Sequence, residues 1–100
     1  VEMLKRRAVQ GTNQLRVTFA LQEDDPRLPA AVVGEFNGWN PEENPMRPRS
    51  NGTWSAVVTL DKGRDYRFRY RSEDGRWFNE DGADGYEGNE FNATNCVVMT

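Results

Sequence analysis

The sequence has no histidine and only one cysteine, Cys96. Zinc sites built from imidazole and thiolate are therefore excluded, as are nucleophiles activated by histidine. A lone cysteine cannot form an internal disulfide. In Asn95-Cys96-Val97-Val98-Met99 it reads as a buried, inert thiol on a strand. A free thiol and no staple fit a reducing compartment, so the expected location is cytoplasmic. Two triplets of glycosylation type, Asn51-Gly52-Thr53 and Asn92-Ala93-Thr94, point the other way but arise easily by chance in an Asn-rich chain.

Long apolar runs are missing too. No stretch approaches the roughly 18 apolar residues a spanning helix needs, so no membrane partner is expected. Lys5, Arg6 and Arg7 are not followed by an apolar segment, and an ordinary signal peptide is not expected. A basic excess is also absent. The net charge of −3 argues against nucleic acid and says little about a neutral ligand.

What remains is a chain of 100 residues, 36% apolar and 29% charged, which suits one soluble domain over residues 1–100 with a single core. Leu15, Val17, Phe19 and Leu21 alternate with polar neighbours, as in a half-buried strand. Tyr66, Phe68 and Tyr70 alternate with Arg67, Arg69 and Arg71 in the same way. Trp54, Ala56, Val58 and Leu60 form a third apolar face after the tight Asn51-Gly52 turn, which places Trp54 in the core.

Ala30 to Phe36 and Asn95 to Thr100 read as further strands, and Met3 to Gln10 as a short edge strand or lead-in. Pro41, Pro45 and Pro48 hold Asn40 to Arg49 in an irregular or edge conformation. Asn79 to Asn92 is acidic and reads as a long loop. No convincing helical stripe appears. Six to eight short strands separated by turns predict an all-β fold, an antiparallel β-sandwich of immunoglobulin-like topology, with a barrel as the competing closure.

Two tryptophans stand apart, on turns rather than inside strands: Trp39 in Phe36-Asn37-Gly38-Trp39-Asn40-Pro41 and Trp77 in Asp74-Gly75-Arg76-Trp77-Phe78. Such rings either fold back over the sandwich edge or stack on a flat ligand such as the C–H face of a sugar. Arg67 lies opposite the core face and can donate to hydroxyls, or remain a solvated charge in its row of arginines. Glu80, Asp81, Asp84, Glu87 and Glu90 are numerous enough for glycoside hydrolysis. All fall in one polar stretch where carboxylates are expected to be solvated, so no catalytic residue is assigned. Their spacing does not match the EF-hand loop, and neither a metal nor a cofactor is expected.

Five segments in order carry a resemblance: Val33-Gly34-Glu35-Phe36-Asn37-Gly38-Trp39, Asn51-Gly52-Thr53-Trp54, Gly63-Arg64-Asp65-Tyr66-Arg67-Phe68-Arg69-Tyr70, Asp74-Gly75-Arg76-Trp77 and Asn95-Cys96-Val97-Val98. Together, from Leu15 to Met99, the chain resembles the glycogen-binding, or isoamylase N-terminal, family of carbohydrate-binding modules. That family includes the module of the AMP-activated protein kinase β-subunit and those ahead of the barrels of glycogen branching and debranching enzymes. The resemblance implies an early-set immunoglobulin-like sandwich that binds α-1,4-linked glucan without catalysis.

By the same resemblance, Trp39 and Trp77 match the stacking tryptophans, Arg67 a basic residue that is lysine in the kinase-type modules, and Asn95 a late asparagine that bonds sugar hydroxyls. Phe91 falls near a leucine that embraces the glucan. The family's usual Asp-Pro after the second tryptophan is replaced by Asn79-Glu80-Asp81-Gly82. The expected partner is an α-glucan, and the chain is expected to be a free-standing bacterial member. The alternative is a module that docks on a glycogen-metabolising enzyme and has little sugar affinity of its own.

Overall fold

The computed structural model describes residues 4–80, 83–88 and 93–100. Nine strands run β1 (Leu4–Val9), β2 (Gln14–Gln22), β3 (Ala30–Gly34), β4 (Arg47–Pro48), β5 (Thr53–Asp61), β6 (Asp65–Ser72), β7 (Trp77–Phe78), β8 (Gly85–Gly88) and β9 (Thr94–Met99), with a 3-10 turn at Glu35–Asn37. They form two antiparallel sheets. One has the order β1-β2-β5-β4; the other has the order β3-β6-β9-β8, with β7 paired to β6. The two sheets pack face to face as an immunoglobulin-like sandwich rather than closing into a barrel. Among the described residues no helix is long and apolar enough to cross a membrane.

The alternating segments build the core as their period demands. Val17, Phe19 and Leu21 of β2 face Phe68, Tyr70, Cys96 and Val98 of the second sheet in one buried cluster. Rings run through it in sequence. Phe36 stacks on Phe19 at 5.8 Å, Phe19 meets Phe68 edge-on at 4.8 Å, Phe68 meets Tyr70 at 5.8 Å, and Tyr70 meets Phe78 at 5.3 Å. Each end of this series lies close in sequence to a surface indole: Phe36 precedes Trp39 by three residues, and Phe78 follows Trp77 directly. Aromatic contacts of this kind stabilise beyond their buried area, so both tryptophan segments are pinned to the core.

Three expectations need correction. The stretch Asn79 to Asn92 is not one long loop, because β8 pairs with β9 along Gly85 to Gly88. As an edge strand with little burial on either face, β8 shows no apolar alternation for a sequence reading to find. Glu80 is not a solvated carboxylate. It is only 4% exposed, its backbone N–H donates to Cys96 Sγ at 3.1 Å, and its carbonyl accepts from the Tyr86 hydroxyl at 2.5 Å. Trp54 is half-buried against the core rather than enclosed by it.

Candidate functional site

The outer face of the second sheet follows from the register. Phe68 and Tyr70 point into the core, so Arg67, Arg69 and Arg71 of β6 point outward. Phe78 is buried, and its neighbour Trp77 faces out, directly opposite Arg71. Cys96 is buried, so Asn95 also faces out, opposite Glu87 of β8.

Trp77 is not on a turn, as its glycine-flanked sequence suggests, but opens the two-residue strand β7, and it owes its place there to the turn before it. Gly75, at φ 90°, lets the chain reverse within a few residues, a conformation that disfavours side chains. The Ser72 N–H donates to the Arg76 carbonyl at 2.8 Å, and the Gly75 N–H to the Ser72 carbonyl at 2.9 Å. Asp74 accepts from the Ser72 hydroxyl and pairs with Arg76. Both contacts lower its pKa, Ser72 contributing first. The ring remains 41% exposed, with the guanidinium of Arg71 at 5.3 Å and that of Arg69 at 5.8 Å from its centroid.

Arg69 is held from the side by Asn79. Its Nε donates to Asn79 Oδ1 at 2.8 Å, while Asn79 Nδ2 donates to the Thr94 carbonyl at 2.9 Å. Arg67 is committed differently. Its Nε donates to Glu87 Oε2 at 2.8 Å, with Nη2 equally close, and Nη1 lies 3.7 Å from Glu35 Oε1. Glu87 is the chief reason its pKa is raised. Nη1 is beyond hydrogen-bond range of Glu35 and keeps its donors for another acceptor.

Trp39 enters from the opposite side of β6. Gly34 sits against β6 so closely that an added Cβ would lie 2.6 Å from the Arg67 carbonyl oxygen and 2.9 Å from Phe68 Cβ. Its φ of −168° is ordinary extended backbone, so space rather than conformation requires glycine here. The Trp39 N–H then closes the turn by donating to the Gly34 carbonyl at 2.9 Å. Asn37 braces the same turn, accepting from the Gly34 N–H at 3.0 Å and donating to the Val32 carbonyl at 3.1 Å. Trp39 has φ 61°, the sole positive value at a non-glycine among the described residues, and is 37% exposed. A bulky side chain in that region is strained, and the closed turn holds it there.

The structure thus brings Trp77, Arg69, Arg71 and Asn79 together, and separately Arg67, Glu87 and Asn95. Trp39 is anchored beside Phe68 and Trp77 beside Arg71, about 10 Å apart along β6. No ring contact joins the two indoles among the described residues, and Phe91 lies outside those residues. Sequence reasoning weighs Arg67 alone in this row and assigns no role to Arg71 or Asn79. Their part depends on the register of the two-residue strand β7, which has no sequence period.

A sandwich with an exposed indole flanked by hydrogen-bonding side chains on one sheet face has the make-up of a non-catalytic carbohydrate-binding module. Residues 29–86, more than half of the chain, match carbohydrate-binding module 48, the isoamylase N-terminal domain, and the chain belongs to that family. It is also similar to a 1,4-alpha-glucan branching enzyme of Xanthomonas campestris pv. campestris (strain 8004), 47% identical over 47 residues, covering 46% of this chain and 6% of that enzyme. The branching enzyme of Synechococcus sp. (strain CC9902) is 33% identical over 73 residues, covering 72% of this chain and 9% of the enzyme. That of Prochlorococcus marinus (strain MIT 9303) is 32% identical over 69 residues, covering 68% and 9%. The chain therefore corresponds to a small part of these enzymes, an accessory module rather than a catalytic domain.

Proposed function

We propose that this domain binds α-1,4-linked glucan, without catalysis, on the outer face of the second sheet. Trp77 and Trp39 are the stacking rings, Arg67 and Asn95 supply hydrogen bonds to sugar hydroxyls, and Phe91 adds a further apolar contact. The observation that carries this reading is the exposed Trp77 indole on the same sheet face as Arg67 and Asn95. Sugar C–H faces bury apolar area on such a ring, while side-chain amides and guanidinium groups fix orientation. The branching-enzyme relatives support an α-glucan over other polysaccharides. The same reading takes residues 1–100 as one domain and, because a single cysteine allows no internal disulfide, assigns it to the cytoplasm.

Electrophoresis through a native gel containing glycogen tests the reading. Retardation of the wild-type protein, lost in Trp77→Ala, supports it; equal mobility with and without glycogen overturns it. A second reading, docking on a glucan-metabolising enzyme with little intrinsic sugar affinity, is favoured by one observation. The matched segment makes up only 6 to 9% of the branching enzymes in which it occurs.

A further inference from the structure

We propose that Arg69 and Arg71, beside Trp77, form a subsite for a phosphate monoester carried on the glucan. The inference rests on the reading that this sheet face binds α-glucan, and it names a charged form of that ligand.

The argument begins with charge that has no counter-charge. Arg6, Arg27, Arg64, Arg67 and Arg76 each pair with a carboxylate. Arg7, Arg16, Arg47 and Arg49 have no such partner among the described residues, but all four are exposed. Arg69 and Arg71 differ from both groups: they are half-buried, and neither pairs with a carboxylate among the described residues. Arg71 makes no side-chain hydrogen bond there either, and its one close partner is the Trp77 ring. A half-buried guanidinium whose donors the protein leaves unmet is partly desolvated and open to an acceptor from outside.

The surroundings concentrate that charge. Arg67, Arg69 and Arg71 recur at every second residue on one face, about 7 Å apart, so each repels the next. Glu87 and Glu35 neutralise the Arg67 end, leaving the excess at the Trp77 end. Asp74, in the adjoining turn, is already held by Arg76 and the Ser72 hydroxyl. Asn79 fixes Arg69 through Nε alone, and its Nη groups make no hydrogen bond among the described residues. Two guanidinium forks beside an aromatic platform suit a phosphate, which accepts from planar donors in pairs, better than a neutral hydroxyl.

The test is a calorimetric comparison of maltoheptaose with the same oligosaccharide carrying one 6-phosphate. Wild-type protein is expected to bind the phosphorylated sugar about tenfold more tightly at low salt. The advantage shrinks as sodium chloride is raised. The affinity ratio falls toward one in Arg71→Gln, and Arg71→Lys restores part of it. Because the ratio is read within each variant, a general loss of sugar binding does not imitate the effect. Arg69→Gln gives the same reading should Arg71→Gln fold poorly. Equal affinity of the wild type for the two sugars overturns the phosphate subsite and leaves glucan binding standing. A wild-type preference that persists unchanged in both variants overturns the assignment to these arginines. Absence of binding to either sugar overturns this inference together with the reading on which it rests.

Discussion

Arg67 Nε and Nη2 both lie 2.8 Å from the same oxygen of Glu87, tying β6 to β8 across the intervening β9. The bond reaches about 10 Å over the sheet face and decides where the Arg67 fork is held. Both side chains are partly exposed, so the pair contributes little to folding and more to orientation. Glu87→Ala is expected to change stability by less than about 1 kcal/mol. It should lower glucan affinity about two- to tenfold, because Arg67 must then be ordered on binding. Denaturant unfolding and calorimetry on the same preparation check the two halves. Loss of the folded state would contradict this division of roles.

Trp39 and Trp77 separate affinity from stability in another way. Trp77→Ala removes an exposed ring, and the thermal midpoint is expected to move little while sugar binding is lost. Trp39→Gly relieves a left-handed backbone at φ 61°, and its thermal midpoint should hold or rise while affinity falls. Differential scanning calorimetry of both variants is the check. A large drop in either midpoint would move that ring from the ligand face into the fold.

Trp54 and Phe19 calibrate that comparison. Phe19→Ala empties a fully buried site and is expected to cost about 3–5 kcal/mol. Trp54 is only half-buried, and Trp54→Ala should cost about 1–3 kcal/mol. Urea denaturation measures both. Equal losses would place the Trp54 ring deeper than its observed exposure.

Much of this layout was legible in the chain. Leu15 to Leu21 and Tyr66 to Tyr70 alternate because one face of each strand meets the core, so their period survives in composition. The Asn51-Gly52 turn was legible for a local reason, and Gly52 has φ 80°. What stayed hidden depends on distant segments meeting. β8 carries no period because it is a short edge strand, and Glu80 is buried only once Cys96 and Tyr86 close around it. The approach of Arg71 to Trp77 follows from the register of β7, which spans two residues.

Tyr70 offers a test by pH. Its hydroxyl is buried and lies close to the Glu80 carboxylate. Burial, and then the nearby Glu80 carboxylate, raise its pKa well above the usual 10.0. A folded-state pKa above the unfolded value means that its contribution is intact below about pH 10 and is lost as pH climbs beyond it. Tyr70→Phe keeps the ring and is expected to change stability at pH 7 by no more than about 1.5 kcal/mol, the scale of one hydrogen bond. It should also lose less stability above pH 10, as followed by urea midpoints across pH. Equal losses in Tyr70→Phe and the wild type above pH 10 would contradict the assignment of this pH dependence to the Tyr70 hydroxyl.

The most direct test of glucan binding is a titration of ¹⁵N-labelled protein with unphosphorylated maltoheptaose, following amide and indole chemical shifts. The account predicts saturable shifts at the indoles of Trp39 and Trp77 and along Arg67 to Arg71 and Asn95, with Trp54 unmoved and the response lost in Trp77→Ala. Unchanged spectra at millimolar sugar in a folded sample, or shifts confined to the outer face of the β1-β2-β5-β4 sheet, would contradict it.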